Sequence, residues 1–299
     1  MTRSILVPLD GSRLAEAALP QALLLARALG ASIALLHVVE KASPRRVHGD
    51  IHLRTADEAE SYLASTEERL VREGATASRH VHQGPAKRVA ESIASHLLEI
   101  PYDYVVLCTH GSGGPGRALM GSVGQRVLAG ASVPVLMVRP SEEPLAAAAR
   151  YGTIMVALET GHTDSLPVAA ELARACSARL HLLVVIPTYA TRRGGLRAVG
   201  RFLPGATLES LDQETEAVEL YLAERRRELE AGGLTVTAQA ARGDPGTVIL
   251  EGARWIAPDL TVMATHGHRG LGAFWHGSVA SEVCARCERP VLLVPVAGR

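Results

Sequence analysis

Two stretches combine residues that could hold a phosphate. The first is Thr109-His110-Gly111, nine further residues, then Gly121-Ser122-Val123. The second is Thr265-His266-Gly267, nine further residues, then Gly277-Ser278-Val279, at an offset of 156. Gly113, Gly114 and Gly116 crowd the first loop, and Gly270 lies in the second. A glycine-rich loop can wrap its backbone N–H groups around an anion. Gly121-Ser122 is placed to open a helix, whose first amides and dipole favour negative charge, and the serine hydroxyl adds a donor. No Gly-Lys-Ser/Thr follows, so this is not the P-loop. Gly111-Ser112-Gly113-Gly114-Pro115-Gly116 fits the dinucleotide fingerprint only in part, and it follows the fourth strand rather than the first.

The elements that would position these loops repeat as well. Ile5-Leu6-Val7-Pro8-Leu9 is an apolar run closed by Asp10-Gly11-Ser12. An Ala/Leu-rich helix from Arg13 to Leu29 follows, with Pro20 marking a kink or a late start. Strands are expected at 32–39, 76–82, 104–108 and 135–138, with a polar loop over 44–54 and helices over 55–73, 84–98 and 121–129. Residues 139–150 read as a linker. The order then recurs: strands at 153–158, 179–186, 234–240, 260–264 and 291–294, and helices at 164–176, 207–231 and from 245. Continuously apolar strands alternating with helices indicate parallel sheets covered on both faces. Each half then forms a doubly wound five-stranded α/β unit, the first over 1–140 and the second over 151–299. In such sheets ligands bind where the winding reverses, at the carboxyl ends of the strands. That places Asp10 beside the first glycine loop, an acid suited to a ribose hydroxyl or an adenine amine.

Bulk composition narrows the partners. The 299 residues are 47% hydrophobic and only 3% aromatic, and 31 basic side chains balance 31 acidic ones. Zero formal charge and few aromatic residues argue against nucleic acid and anionic membranes. Gln21 and Arg27 interrupt the best membrane-span candidate, and Asp10 falls where a signal peptide would need an apolar core. Four cysteines make no disulfide framework, so a reduced, cytoplasmic setting is expected.

Val-Pro-Leu-Asp-Gly-Ser at the first strand, His37-Val38 ending the second, Thr-His-Gly-x9-Gly-Ser after the fourth and the closing Pro-Val-Leu-x-Val resemble the universal stress protein family. The likeness runs through both halves, as in a tandem member. It implies an adenine nucleotide α-hydrolase-like fold, an internal pseudo-two-fold, and the nucleotide pattern Gly-x2-Gly-x9-Gly-Ser/Thr, which members that bind ATP carry. The implied ligand is ATP, with or without magnesium, and the implied assembly is a homodimer of tandem chains. In the first half the resemblance points to Pro8, Leu9, Asp10, Val38, Cys108, His110, Gly111, Gly114, Gly121, Ser122 and Val123. In the second it points to Ala157, Leu158, Glu159, Val185, Ala264, His266, Gly267, Gly270, Gly277, Ser278 and Val279. Cys108 and Ala264 stand where the pattern has its first glycine, and Ala157 and Glu159 replace Pro8 and Asp10.

The remaining features read as structural. Cys284-x2-Cys287 lies on a helix without a second pair, so no metal is expected there. His37 reads as a satisfied strand-end histidine, and Arg192-Arg193 and Arg225-Arg226-Arg227 as solvated faces. Ser12 has no nucleophile elbow around it. The leading expectation is an ATP-binding module that changes conformation or partner with its nucleotide and hydrolyses it slowly at most. The alternatives are a genuine ATPase or adenylyl-transferring enzyme, and a nucleotide-free scaffold.

Overall fold

A computed structural model describes residues 2–39, 46–47, 50–51, 53–83, 89–109, 122–140, 150–188, 204–265 and 278–296. Its contacts divide the chain into two compact units, Met1–Arg150 with His266–Pro295, and Tyr151–Thr265 with Val296–Arg299.

The first unit holds β1 (Ser4–Pro8), β2 (Ser32–Val39), β3 (Arg46–Val47), β4 (Asp50–Ile51), β5 (Ala77–Gln83), β6 (Tyr104–Cys108) and β7 (Val135–Val138). Its helices are α1 (Arg13–Glu16), α2 (Leu19–Leu29), α3 (Ala56–Arg72), α4 (Val89–Glu99) and α5 (Ser122–Gly130). Five strands run parallel in the order β5-β2-β1-β6-β7. The chain therefore winds outward from β1 through β2 to β5, returns to the other side of β1, and continues through β6 to β7. Ile5, Leu6, Val7, Val105 and Val106 are wholly buried. Strands with both faces covered have no polar side to show, which is why their sequences do not alternate.

The second unit repeats this pattern with β8 (Thr153–Leu158), β9 (Arg179–Ile186), β10 (Val236–Arg242) and β11 (Leu260–Thr265), and with helices α6 (Ser165–Cys176), α7 (Pro204–Ala231) and α8 (Pro245–Ile256). Its strand order is β10-β9-β8-β11, again parallel. The last helix and strand, α9 (Val279–Arg286) and β12 (Val291–Pro295), belong to the first unit. There β12 pairs antiparallel with β7, and Leu292 lies opposite Leu136. These two leucines are repeat equivalents, so the strand pair has a local two-fold axis between them. The pairing covers the apolar edge that β7 would otherwise present.

Local chemistry accounts for the element ends. Pro20 sits in the first turn of α2, where a missing N–H costs nothing, so the expected single helix is broken into α1 and α2. Thr55 and Glu58 form a capping box at the start of α3. Along α7, Val218, Leu222 and Leu229 are buried as their spacing predicts, and Arg226 pairs with Glu230 at 2.8 Å. The stretch expected as polar loop over 44–54 includes the two-stranded β3–β4 ladder, with Arg46 opposite Ile51. Two-residue strands are too short for any periodicity to announce them. The expected helix start at Gly84-Pro85, the linker residues 141–149 and Arg192-Arg193 lie outside the described residues.

One carboxylate clamp ties the first and fourth strands of each repeat together at their amino ends. In the second unit Asp259 Oδ2 accepts from Gly152 N at 2.8 Å and Thr153 N at 2.9 Å, while Asp259 N donates to Thr153 O at 2.9 Å. In the first, Asp103 Oδ2 accepts from Ser4 N at 2.8 Å and Asp103 N donates to Ser4 O at 2.9 Å. The aspartates are 156 residues apart, as the glycine loops are. Each fixes the fourth strand of its repeat against the first, and so fixes what meets at the opposite end.

Candidate functional site

The first site is built at the carboxyl end of β1. Pro8 pairs with Leu36 on β2, and Leu6 pairs with Val105 on β6. Continuing both registers sets Asp10 level with Val38 on one side and with Thr109, just past Cys108, on the other. This is the point at which the winding reverses, where open parallel sheets take ligands. Leu9 and Val38 are buried, and Pro8 and Asp10 are half-buried. Leu9 N donates to Leu36 O at 2.8 Å, and His37 Nδ1 lies 2.8 Å from Leu9 O. His37 is thus an internal brace of the β1–β2 mouth, and it is 1% exposed rather than partly buried.

The turn after Leu9 is locked by Asp10 itself. Its Oδ1 accepts from Ser12 N at 2.9 Å and from Ser12 Oγ at 2.6 Å. Ser12 Oγ in turn accepts from Ala15 N at 3.2 Å and caps α1. A buried hydroxyl engaged on both sides is no nucleophile, in line with the missing elbow. Gly11 between them has φ +87, and a Cβ there would lie 2.8 Å from Leu53 Cγ. The Asp-Gly-Ser sequence is therefore required by geometry at its middle position as well as by hydrogen bonding at its ends.

Across the mouth, Thr109 N donates to Val138 O at 2.7 Å and its Oγ1 to the same oxygen at 3.2 Å. The Cys108 side chain is buried, and burial, aided by the Asp10 carboxylate, pushes its thiol up to about 12. It is held neutral at physiological pH and fills space as a small hydrophobe. Val123 lies in the first turn of α5, which begins at Ser122. His110, Gly111, Gly114, Gly121 and the Ser122 side chain lie outside the described residues.

The second repeat has the same register. Ala157 pairs with Leu183, as Pro8 pairs with Leu36, and Leu158 pairs with Val184, which sets Glu159 level with Val185. The turn is built differently. Glu159 O accepts from His162 N at 3.1 Å, Gly161 has φ +98, and Glu159 is exposed. A carboxylate one methylene longer leaves the turn to be closed by backbone. Leu158 is buried and Val185 half-buried, and Ala264 is half-buried near the end of β11. Ser278 and Val279 fall in the first unit, where Ser278 caps α9 by accepting from Ser281 N at 3.1 Å. A serine that accepts through oxygen still has its O–H proton to donate, which suits an anion at a helix start. His266, Gly267, Gly270 and Gly277 lie outside the described residues.

The Cys284 thiol is buried, and burial together with the neighbouring Cys287 pushes it well up. No disulfide includes any of the four cysteines. Sequence reasoning marks Asp10-Gly11-Ser12 as a turn and Thr109 as the start of the glycine stretch, but it gives Gly11 and Ser12 no part in shaping the first mouth. The Asp-x-Ser helix-start signal marks Ser12 as a cap, whereas no local signal reveals Leu53 over Gly11.

A model of the universal stress protein family matches residues 1–139 and again 150–295. The chain belongs to the universal stress protein family, with two copies of the family's segment in tandem. A universal stress protein from Archaeoglobus fulgidus DSM 4304 shares the fold at TM-score 0.71 and 18% identity, over 98% of this chain and 96% of that one. A functionally unknown protein from Pseudomonas aeruginosa PAO1 does so at TM-score 0.66 and 21% identity, over 99% of this chain and 93% of that one. A universal stress protein solved in complex with cAMP aligns at TM-score 0.35 and 20% identity, over 49% of this chain and 98% of that one. No curated protein matches the chain. The fold is the mostly parallel α/β architecture of this family. Among the described residues no helix is long and apolar enough to cross a membrane.

Proposed function

We propose that the chain is an adenine-nucleotide-binding module that takes ATP, with or without magnesium, and changes conformation or partner with it. The observation that carries this reading is the pairing of β1 with both β2 and β6 at the reversal of the winding, a register that, carried on past its last paired residues, brings Asp10 level with Val38 and Thr109. The residues present fit such a ligand. Val38 and Leu9 offer apolar wall to an adenine, and Asp10 offers a carboxylate to a ribose hydroxyl. The loop from His110 to Gly121, leading into α5, is the proposed seat of the phosphates, with Gly111, Gly114, Gly121 and Ser122 as donors. ATP brings a bound polyanion and its conformational leverage, and the chain's part is to orient it. Cys108 keeps its neutral thiol out of any chemistry.

In the second repeat Leu158, Glu159, Val185 and Ala264 are the corresponding mouth, with an exposed glutamate at the place of the half-buried Asp10. The repeats, 1–140 and 151–299 around the linker 141–150, are proposed as the working domains. We further propose a homodimer of tandem chains, and a reducing cytoplasm as its setting, the latter supported by four buried free cysteines.

Mass spectrometry of nucleotide released on denaturing the purified chain tests the assignment. ATP or ADP at about one equivalent per chain is expected. Protein that carries no adenine nucleotide, and acquires none on incubation with ATP, would overturn it in favour of a scaffold. Turnover of many ATP per minute would favour the enzyme alternative.

A further inference from the structure

At β5, beside the strand that carries Val38, three histidines converge. His80 and His82 lie two apart on β5, so both project from the same face of the sheet. Register places them opposite Leu36 and Val38 of β2. Arg79, on the opposite face, binds Glu60 at 2.6 Å and also Glu67, both on α3. The histidine face is therefore the one turned away from α3. His96 comes from α4, which packs on β2, and it is 2% exposed. One ring nitrogen from each of the three lies within 4.8 Å of the others. The His80 and His96 rings stack at 5.0 Å and 21°.

We propose that His80, His82 and His96 form a binding site for a divalent transition-metal cation of the zinc class. The donor set argues the class. Three imidazoles with no carboxylate in the cluster suit a borderline-soft ion and poorly suit calcium or magnesium. Three protein nitrogens and a fourth position left to solvent make an open tetrahedral site. Zinc–nitrogen bonds of about 2.0–2.1 Å need nitrogens roughly 3.4 Å apart in a tetrahedron. The present spread closes to that by rotating His80 and His82, whose residues are exposed and half-buried, against the anchored His96. The exposed side is also the way in for the ion.

The setting prepares the site. His96 Nε2 lies 3.0 Å from Tyr102 Oη. An outer partner of this kind fixes ring orientation and tautomer, as it does in metal sites generally. The β5 strand stands at the end of its sheet, so the two strand ligands face no further strand.

The test uses the full chain without an affinity tag, stripped with chelator and dialysed. Titration with zinc sulfate is followed by calorimetry, and cobalt loading by visible absorption. One equivalent of zinc per chain is expected, with a tetrahedral cobalt spectrum lacking a thiolate band. His80→Ala and His82→Ala, both at accessible strand positions, should each weaken binding at least about tenfold while thermal unfolding of the metal-free chain stays unchanged. Cys284→Ser should bind as the parent does. Zinc binding unaffected by either histidine variant, a thiolate band in the cobalt spectrum, or no binding at all would overturn the proposal. None of these outcomes depends on whether ATP binds.

Discussion

Replacing Gly11 by alanine should damage the first mouth more than its small size suggests. Gly11 has φ +87, and the added Cβ would lie 2.8 Å from Leu53 Cγ and 2.9 Å from Leu53 Cδ1. Two costs combine. A left-handed conformation costs a side-chain-bearing residue about 1–2 kcal/mol. Forcing Leu53 aside, with its branch carbon rather than a flexible tip in the way, adds about 1–2 kcal/mol. The sum is about 2–4 kcal/mol. Gly30 is the internal control. It also has positive φ, at +61, but a Cβ there meets nothing within 4 Å, so Gly30→Ala should cost only the conformational part, about 1–2 kcal/mol. The assay is urea unfolding of the full chain at equilibrium. Leu53→Ala made together with Gly11→Ala should recover the steric share, giving a favourable coupling of about 1 kcal/mol in the double-mutant cycle. Equal losses for Gly11→Ala and Gly30→Ala, with no coupling to Leu53, would refute the packed-turn account of the mouth.

Other consequences follow from the same contacts. Asp259→Ala should destabilise the chain by about 2 kcal/mol, because one carboxylate oxygen serves two half-buried amides. Asp103→Ala, which strands one amide at an exposed position, should cost about half as much. Equal and negligible losses by thermal or urea unfolding would count against the clamp. His181, with Nδ1 2.8 Å from Thr237 Oγ1, is kept below its ordinary 6.5 by burial. Its neutral form is the one the fold prefers, so its contribution is complete above 6.5 and declines as pH falls below that value. Imidazole resonances followed by NMR should give a midpoint below 6.5, and a midpoint at or above 6.5 would contradict the burial.

What the sequence discloses is what local pattern can carry. The strands around Val7, Val106 and Val156 are legible because chains buried on both faces must be continuously apolar. The place of Asp10 level with Val38 and Thr109 follows once the winding order is assumed, since a parallel register advances residue for residue. The break at Pro20 is legible because proline acts within one turn. Asp103 and Asp259 were passed over, for an aspartate before a strand looks like any loop residue until its amide partners, about a hundred residues away, are known. His80, His82 and His96 escaped for a similar reason. The pair on β5 is visible as alternation, but its union with His96 depends on how α4 lies against β2. Gly11 was noted as a turn glycine, while the steric demand on it comes from Leu53, 42 positions on.

The most direct test of the nucleotide reading is calorimetric titration of the full chain with ATP, parent beside Asp10→Asn. The substitution keeps a side-chain acceptor for Ser12 and removes the charge offered to the ribose. The account predicts saturable ATP binding by the parent and a loss of about tenfold or more in affinity for the variant at unchanged thermal stability, the worth of one charge-assisted hydrogen bond. ATP that does not bind the parent, or binds both chains equally well, would contradict it.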